Sequence, residues 1–102
     1  MRITFERSGG FAGMKIQAAF DTDQLTQEQA ASLKHLLDQA EFFSLPGVFS
    51  PQPGTADQFE YDISVEAEGK THRVHTTDST MPEMLRPVLD TLTHLAREQN
   101  IR

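Results

Sequence analysis

The stretch that decides the fold is Phe59-Glu60-Tyr61-Asp62-Ile63-Ser64-Val65-Glu66-Ala67-Glu68-Gly69, residues 59–69. Phe59, Tyr61, Ile63, Val65 and Ala67 alternate with Glu60, Asp62, Ser64 and Glu66, the pattern of a strand that buries one face and wets the other. Glu68-Gly69 predicts a tight turn, and Thr71 to Thr77 returns as a second, more polar strand whose one strong apolar residue is Val74. So polar a strand is either an edge strand or simply the most polar member of the sheet.

Upstream, Arg2 to Arg7 places Ile3 and Phe5 on one face, and Met14, Ile16, Ala18 and Phe20 repeat that alternation. Ser8 to Gly13 reads as the hairpin connection between them, because Gly9, Gly10 and Gly13 tolerate positive φ. Thr26-Gln27-Glu28-Gln29 has the form of a capping box, and Ala30, Leu33, Leu36, Leu37 and Ala40 follow at helical spacing. Phe42, Phe43 and Leu45 extend that apolar face until Pro46-Gly47 stops it. Thr80-Met81-Pro82-Glu83 predicts a second capping box, followed by a leucine-rich helical stripe from Leu85 to Ala96 with Pro87 resetting or kinking its start. The expected fold is α+β: a four-stranded, mainly antiparallel sheet with two helices packed on one face, in the order ββαββα.

A length of 102 residues predicts a single domain spanning 1–102. A formal charge of −6 argues against nucleic acid as a partner, since phosphate binding needs clustered Lys and Arg. No apolar run is long enough for a membrane span, and Met1 is not followed by a secretory signal, so the expected location is the cytoplasm. With no cysteine, neither disulfides nor thiolate catalysis is available.

No constellation carries a reaction. His72 and His75 lie three apart on a strand and so face opposite ways, and His35 and His94 lack a helical partner, so no metal is expected. Asp21-Thr22-Asp23 opens like a calcium loop but lacks its glycine and its closing glutamate, and serves better as acidic residues ahead of a helix. The glycines of residues 9–13 are followed by a strand rather than a helix N-terminus, which removes a phosphate loop. The expectation is a non-enzyme without cofactor or metal.

Two segments remain. Glycines bracket Phe11 on the 8–13 connection, so its ring either folds back onto the sheet edge or stands out as an anchor for a concave partner. Pro46 to Asp57 is a long connection that holds three prolines, two glycines, Val48 and Phe49. Connections of that length are often functional.

Over nearly the whole chain the sequence resembles the emfourin family, small protein inhibitors of thermolysin-type metalloproteases such as protealysin. The specific part is Ile3-Thr4-Phe5-Glu6-Arg7-Ser8-Gly9-Gly10-Phe11-Ala12-Gly13; Phe42-Phe43-Ser44-Leu45-Pro46, Asp57-Gln58-Phe59-Glu60-Tyr61 and Leu85-Arg86-Pro87 support it. The resemblance implies a bacterial, cytoplasmic inhibitor, monomeric when free, whose loops enter the substrate cleft of a thermolysin-like metalloprotease. The protease-binding residues would be Arg7, Ser8, Gly9, Gly10, Phe11, Ala12 and Gly13, with a second contact through Val48, Phe49, Pro51, Pro53 and Gly54. The alternative is a non-inhibitory intracellular adaptor that uses the same loop to bind another protein.

Overall fold

The structure, a computed structural model, describes residues 1–9, 15–49 and 58–100. Its elements are β1 (Arg2–Gly9), β2 (Ile16–Asp21), α1 (Gln27–Gln39), β3 (Phe59–Ala67), β4 (Lys70–Thr77) and α2 (Arg86–Asn100). The strands lie in the order β2-β1-β3-β4, every neighbouring pair antiparallel, and both helices contribute to the one core beneath the sheet. The fold is α+β with the order ββαββα, as the succession of strand and helix periodicities along the chain predicts.

Each β-strand turns alternate residues toward the helices. Ile3 and Phe5 of β1 and Ile63 and Val65 of β3 are fully buried, whereas Thr4, Glu60 and Glu66 stay exposed on the far face. Beneath them pack Leu33 and Leu37 of α1 and Val88, Leu89, Leu92 and Ala96 of α2. Among the described residues no helix is long and apolar enough to cross a membrane.

The turn at Glu68-Gly69 is as read: both residues adopt left-handed φ, +52° and +77°, the requirement of the two-residue hairpin turn that matches strand twist. At α1, Thr26 accepts from the Gln29 amide (3.1 Å) while the Gln29 side chain accepts from the Thr26 amide (3.2 Å), so the capping box is complete. After α1, Glu41 in the left-handed region redirects the chain into a 3-10 turn at Phe42–Ser44. Phe42 is buried by this redirection, but Phe43 remains 44% exposed instead of extending the buried face.

Two expectations need correction. Ser8 and Gly9 belong to β1, not to a hairpin connection: pairing with β2 ends at Arg7↔Ile16, but on the other side β1 continues through Ser8↔Glu60 and Gly9↔Phe59. A central strand can outlast one neighbour because it has two. The second β-strand begins at Ile16; Met14 lies outside the described residues. Thr80 does not cap a helix. A 3-10 turn, Glu83–Leu85, precedes α2 with Pro82 in the capping position and no side-chain cap. A box starting at Thr80 would require helical backbone at Met81, which the ring of the following Pro82 disfavours, and Pro82 has no amide to offer. Pro87 occupies the second position of α2, where a missing amide leaves no helical carbonyl unpaired, and so sets the helix start.

Candidate functional site

One end of the sheet gathers the described flanks of both segments singled out in the sequence. At this end β1 finishes at Gly9, directly across from Phe59, where β3 starts. Gly9 needs to be glycine on two counts: its φ is +88°, and a β-carbon there would sit 3.2 Å from the Gln58 carbonyl oxygen. Of the seven residues expected at the first contact, Arg7, Ser8 and Gly9 are described, and Gly10, Phe11, Ala12 and Gly13 lie outside the described residues.

The second segment approaches along the outer edge of β4. The His75 amide donates to the Gly47 carbonyl (2.8 Å) and the Phe49 amide to the His75 carbonyl (2.8 Å), a parallel bridge centred on Val48. Val48 is 64% exposed, whereas Phe49 packs against the core. Pro51, Pro53 and Gly54 lie outside the described residues. Since β4 ends at Thr77 opposite Glu60, a chain running parallel to it heads for the same end as Gly9.

The residues after β4 tie this end together. The Asp78 carboxylate accepts from the Phe59 amide (2.9 Å) and the Tyr61 hydroxyl (2.8 Å), and the Asp78 amide donates to the Phe59 carbonyl (3.2 Å). Burial, reinforced by the bond to Asp78 and its negative charge, pushes the Tyr61 hydroxyl up to about 12. The Ser79 amide donates to the Gln58 side chain (2.8 Å). Thr80 Oγ1 accepts from the Thr77 amide (3.1 Å), contacts the Thr77 hydroxyl (2.8 Å) and donates to the Phe49 carbonyl at 3.4 Å. One hydroxyl therefore joins the end of β4 to the segment beside it.

Strand parity separates Arg7 from Ser8. Ser8 shares the solvent face with Glu6, whereas Arg7 turns toward the helices and lays its guanidinium carbon 3.7 Å from the centre of the Phe59 ring. Its Nε is buried and has no hydrogen-bond partner among the described residues.

The histidines divide as strand geometry requires. His72 faces the helices, where its Nε2 is 2.7 Å from the Leu45 carbonyl and its ring meets Phe42 edge-on. On the opposite face His75 Nδ1 is 3.1 Å from Asp62, which also accepts from Arg73 Nε at 2.9 Å. Partial burial pushes the Asp62 carboxyl up, but the bonds from Arg73 and His75 outweigh it and hold the group below its ordinary value. No cluster of three or more His, Asp or Glu that could hold a metal occurs among the described residues.

Sequence reasoning missed Asp78, Tyr61 and Thr80 as the residues that build this end. The run Thr77-Asp78-Ser79-Thr80 did carry a signal, since short polar side chains after a strand often bond to nearby backbone. Their partners lie 17–19 residues away for Asp78 and 31 for the Phe49 carbonyl, beyond what spacing reveals.

The family model described as Emfourin matches residues 5–93. No curated protein and no solved structure matches the chain.

Proposed function

The chain belongs to the emfourin family, and from that premise we propose that it is a protein inhibitor of thermolysin-like, protealysin-type zinc metalloproteases. It blocks the substrate cleft with surface segments that include residues 8–13, acts in the cytoplasm as a monomer when free, and needs no metal or cofactor of its own. The observation that supports this reading is the pairing of Gly9 with Phe59 together with the Thr80 bond to Phe49. The flanks of both contact segments thereby leave the same end of the sheet, as two walls of one cleft demand.

In this reading Phe11 is the anchor. Enzymes of the thermolysin type favour a bulky apolar residue just after the scissile bond, and an aromatic ring delivers the largest contact area for the least conformational cost. Val48, Phe49, Pro51, Pro53 and Gly54 form the second contact, where the fixed φ of proline lowers the entropy lost on docking. Arg7, Ser8 and Gly9 hold the base of the first contact through their pairing with β3.

Titrating the protein against a panel of thermolysin-like peptidases, with peptide hydrolysis as the readout, tests the function. Stoichiometric inhibition is expected. Phe11→Ala should weaken it by about 2 kcal/mol or more, the scale of an interface hot spot, while leaving the melting temperature unchanged. Full inhibition by that variant would remove Phe11 as the anchor, and a panel without any inhibition would leave the adaptor reading in its place.

A further inference from the structure

Between the Gly9 end of the sheet and α2 lies a half-open cavity of about 360 Å³, lined by Arg7, Tyr61, Asp90, Thr93, His94 and Arg97. Positions 90, 93, 94 and 97 share one face of the helix, and Arg7 and Tyr61 come from the helix-side faces of β1 and β3. The lining itself is net positive, whereas the chain as a whole is acidic. On a chain of net charge −6, two guanidinium groups here meet a single carboxylate, Asp90.

Neither arginine is neutralised by an ion pair among the described residues, whose pairs involve Lys15, Arg73, His75 and His94. His94 turns to Glu98 at 3.1 Å. The Tyr61 hydroxyl is committed as a donor to Asp78. Arg7 is also pinned: its guanidinium lies on the Phe59 ring, and its Nε is buried without an acceptor among the described residues. Of the three Arg7 nitrogens only Nε is closed off in this way, which leaves the terminal nitrogens of a cavity-lining guanidinium for an acceptor from outside.

We propose that this cavity receives one carboxylate of the bound peptidase, an Asp or Glu side chain on the wall of its cleft, held between Arg7 and Arg97. The proposal rests on the inhibitor reading and adds the chemistry of its partner. The planar guanidinium fork matches a carboxylate in two parallel hydrogen bonds, and a fork already held flat against a ring loses little freedom on binding. Asp90 offsets one of the two positive charges, so the site suits a singly charged carboxylate over a dianion. Arg7 is two residues from Gly9, which puts the cavity beside the contact segment on its α2 side.

The test measures inhibition constants for the wild type, Arg97→Glu, Arg7→Lys and Lys34→Glu against a thermolysin-like peptidase at low and raised NaCl. Lys34 is exposed on α1, outside the cavity, so Lys34→Glu makes the same change in net charge as Arg97→Glu. Arg97→Glu should weaken inhibition by about tenfold or more and flatten its salt dependence, with an unchanged melting curve. Lys34→Glu should leave inhibition within about twofold, the scale of a distant exposed charge. Arg7→Lys, which keeps the charge but loses the fork, should fall between them. Equal effects of Arg97→Glu and Lys34→Glu would overturn the carboxylate site while inhibition stands. Absence of inhibition by the wild type would overturn the inhibitor reading and this proposal with it.

Discussion

Two stretches of this chain carry the same helix-start signature and meet different fates. Thr26-Gln27-Glu28-Gln29 closes its capping box within the first turn of α1, whereas Thr80-Met81-Pro82-Glu83 gives its threonine to the sheet. The difference lies partly in the motif and partly in its neighbours. Pro82 disfavours the helical backbone that a box would need at Met81, and the end of β4 offers Thr80 an amide, a hydroxyl and, across the next segment, the Phe49 carbonyl. A motif that can be satisfied locally is readable from spacing; one whose polar groups find better partners elsewhere becomes part of the tertiary structure.

The largest break in this comparison comes from Asp78, on the side where tertiary partners win. Asp78→Ala leaves the Phe59 amide and the Tyr61 hydroxyl without their acceptor, and should cost about 2 kcal/mol in chemical denaturation. It should also change the alkaline limb of stability. Since Tyr61 is raised in the folded state from 10.0 to about 12, the unfolded chain loses its phenolic proton first as pH rises. The contribution is therefore fully present below pH 10.0 and is lost as pH climbs toward about 12. Tyr61→Phe should abolish that slope, which thermal melts across this range would register.

Thr80→Val comes next. It removes the acceptor of the Thr77 amide, in a place where Thr77 is fully buried, and should cost about 1.5 kcal/mol. Because the same hydroxyl reaches Phe49, this variant should also weaken peptidase inhibition, measured by titration. Thr26→Ala is the local counterpart: its amide partner lies at an exposed helix end that water can reach, so the loss should be about 1 kcal/mol with inhibition unaffected. A Thr26 variant that cost more than the Thr80 variant would reverse the ranking of local over tertiary commitment.

The smallest effect is expected at Glu68. It occupies a left-handed position (φ +52°) ahead of Gly69, where Asn is the preferred residue, so Glu68→Asn should raise stability by about 0.5 kcal/mol. Asp62 supplies an acidic counterpart to Tyr61. Its folded-state value lies below the ordinary 3.8, so its contribution is present above pH 3.8 and is lost as pH falls through the lowered value. Asp62→Asn should flatten the acid limb of the melting curve.

The candidate site was legible in proportion to how local its chemistry is. Gly9 announces itself, because a residue at φ +88° beside a carbonyl oxygen has few alternatives to glycine. Arg7 was legible as part of a distinctive block, but not as a half-buried cation on Phe59, because that contact depends on the β1–β3 register. Asp78 was not legible as a keystone, since an aspartate after a strand is equally at home in any turn.

By itself the sequence determined the periodic elements: the alternation of residues 59–67, the two-residue turn, the apolar stripe of α1 and the order ββαββα. These follow from side-chain periodicity and backbone preference, which act over a few residues. Only the tertiary structure decided that β1 lies between β2 and β3, that its last residues pair with β3 alone, and that Gly9, Phe49 and Asp78 meet at one end. Those outcomes depend on which strands share a hydrophobic core and on hydrogen bonds between groups distant in the chain, and no local spacing encodes either.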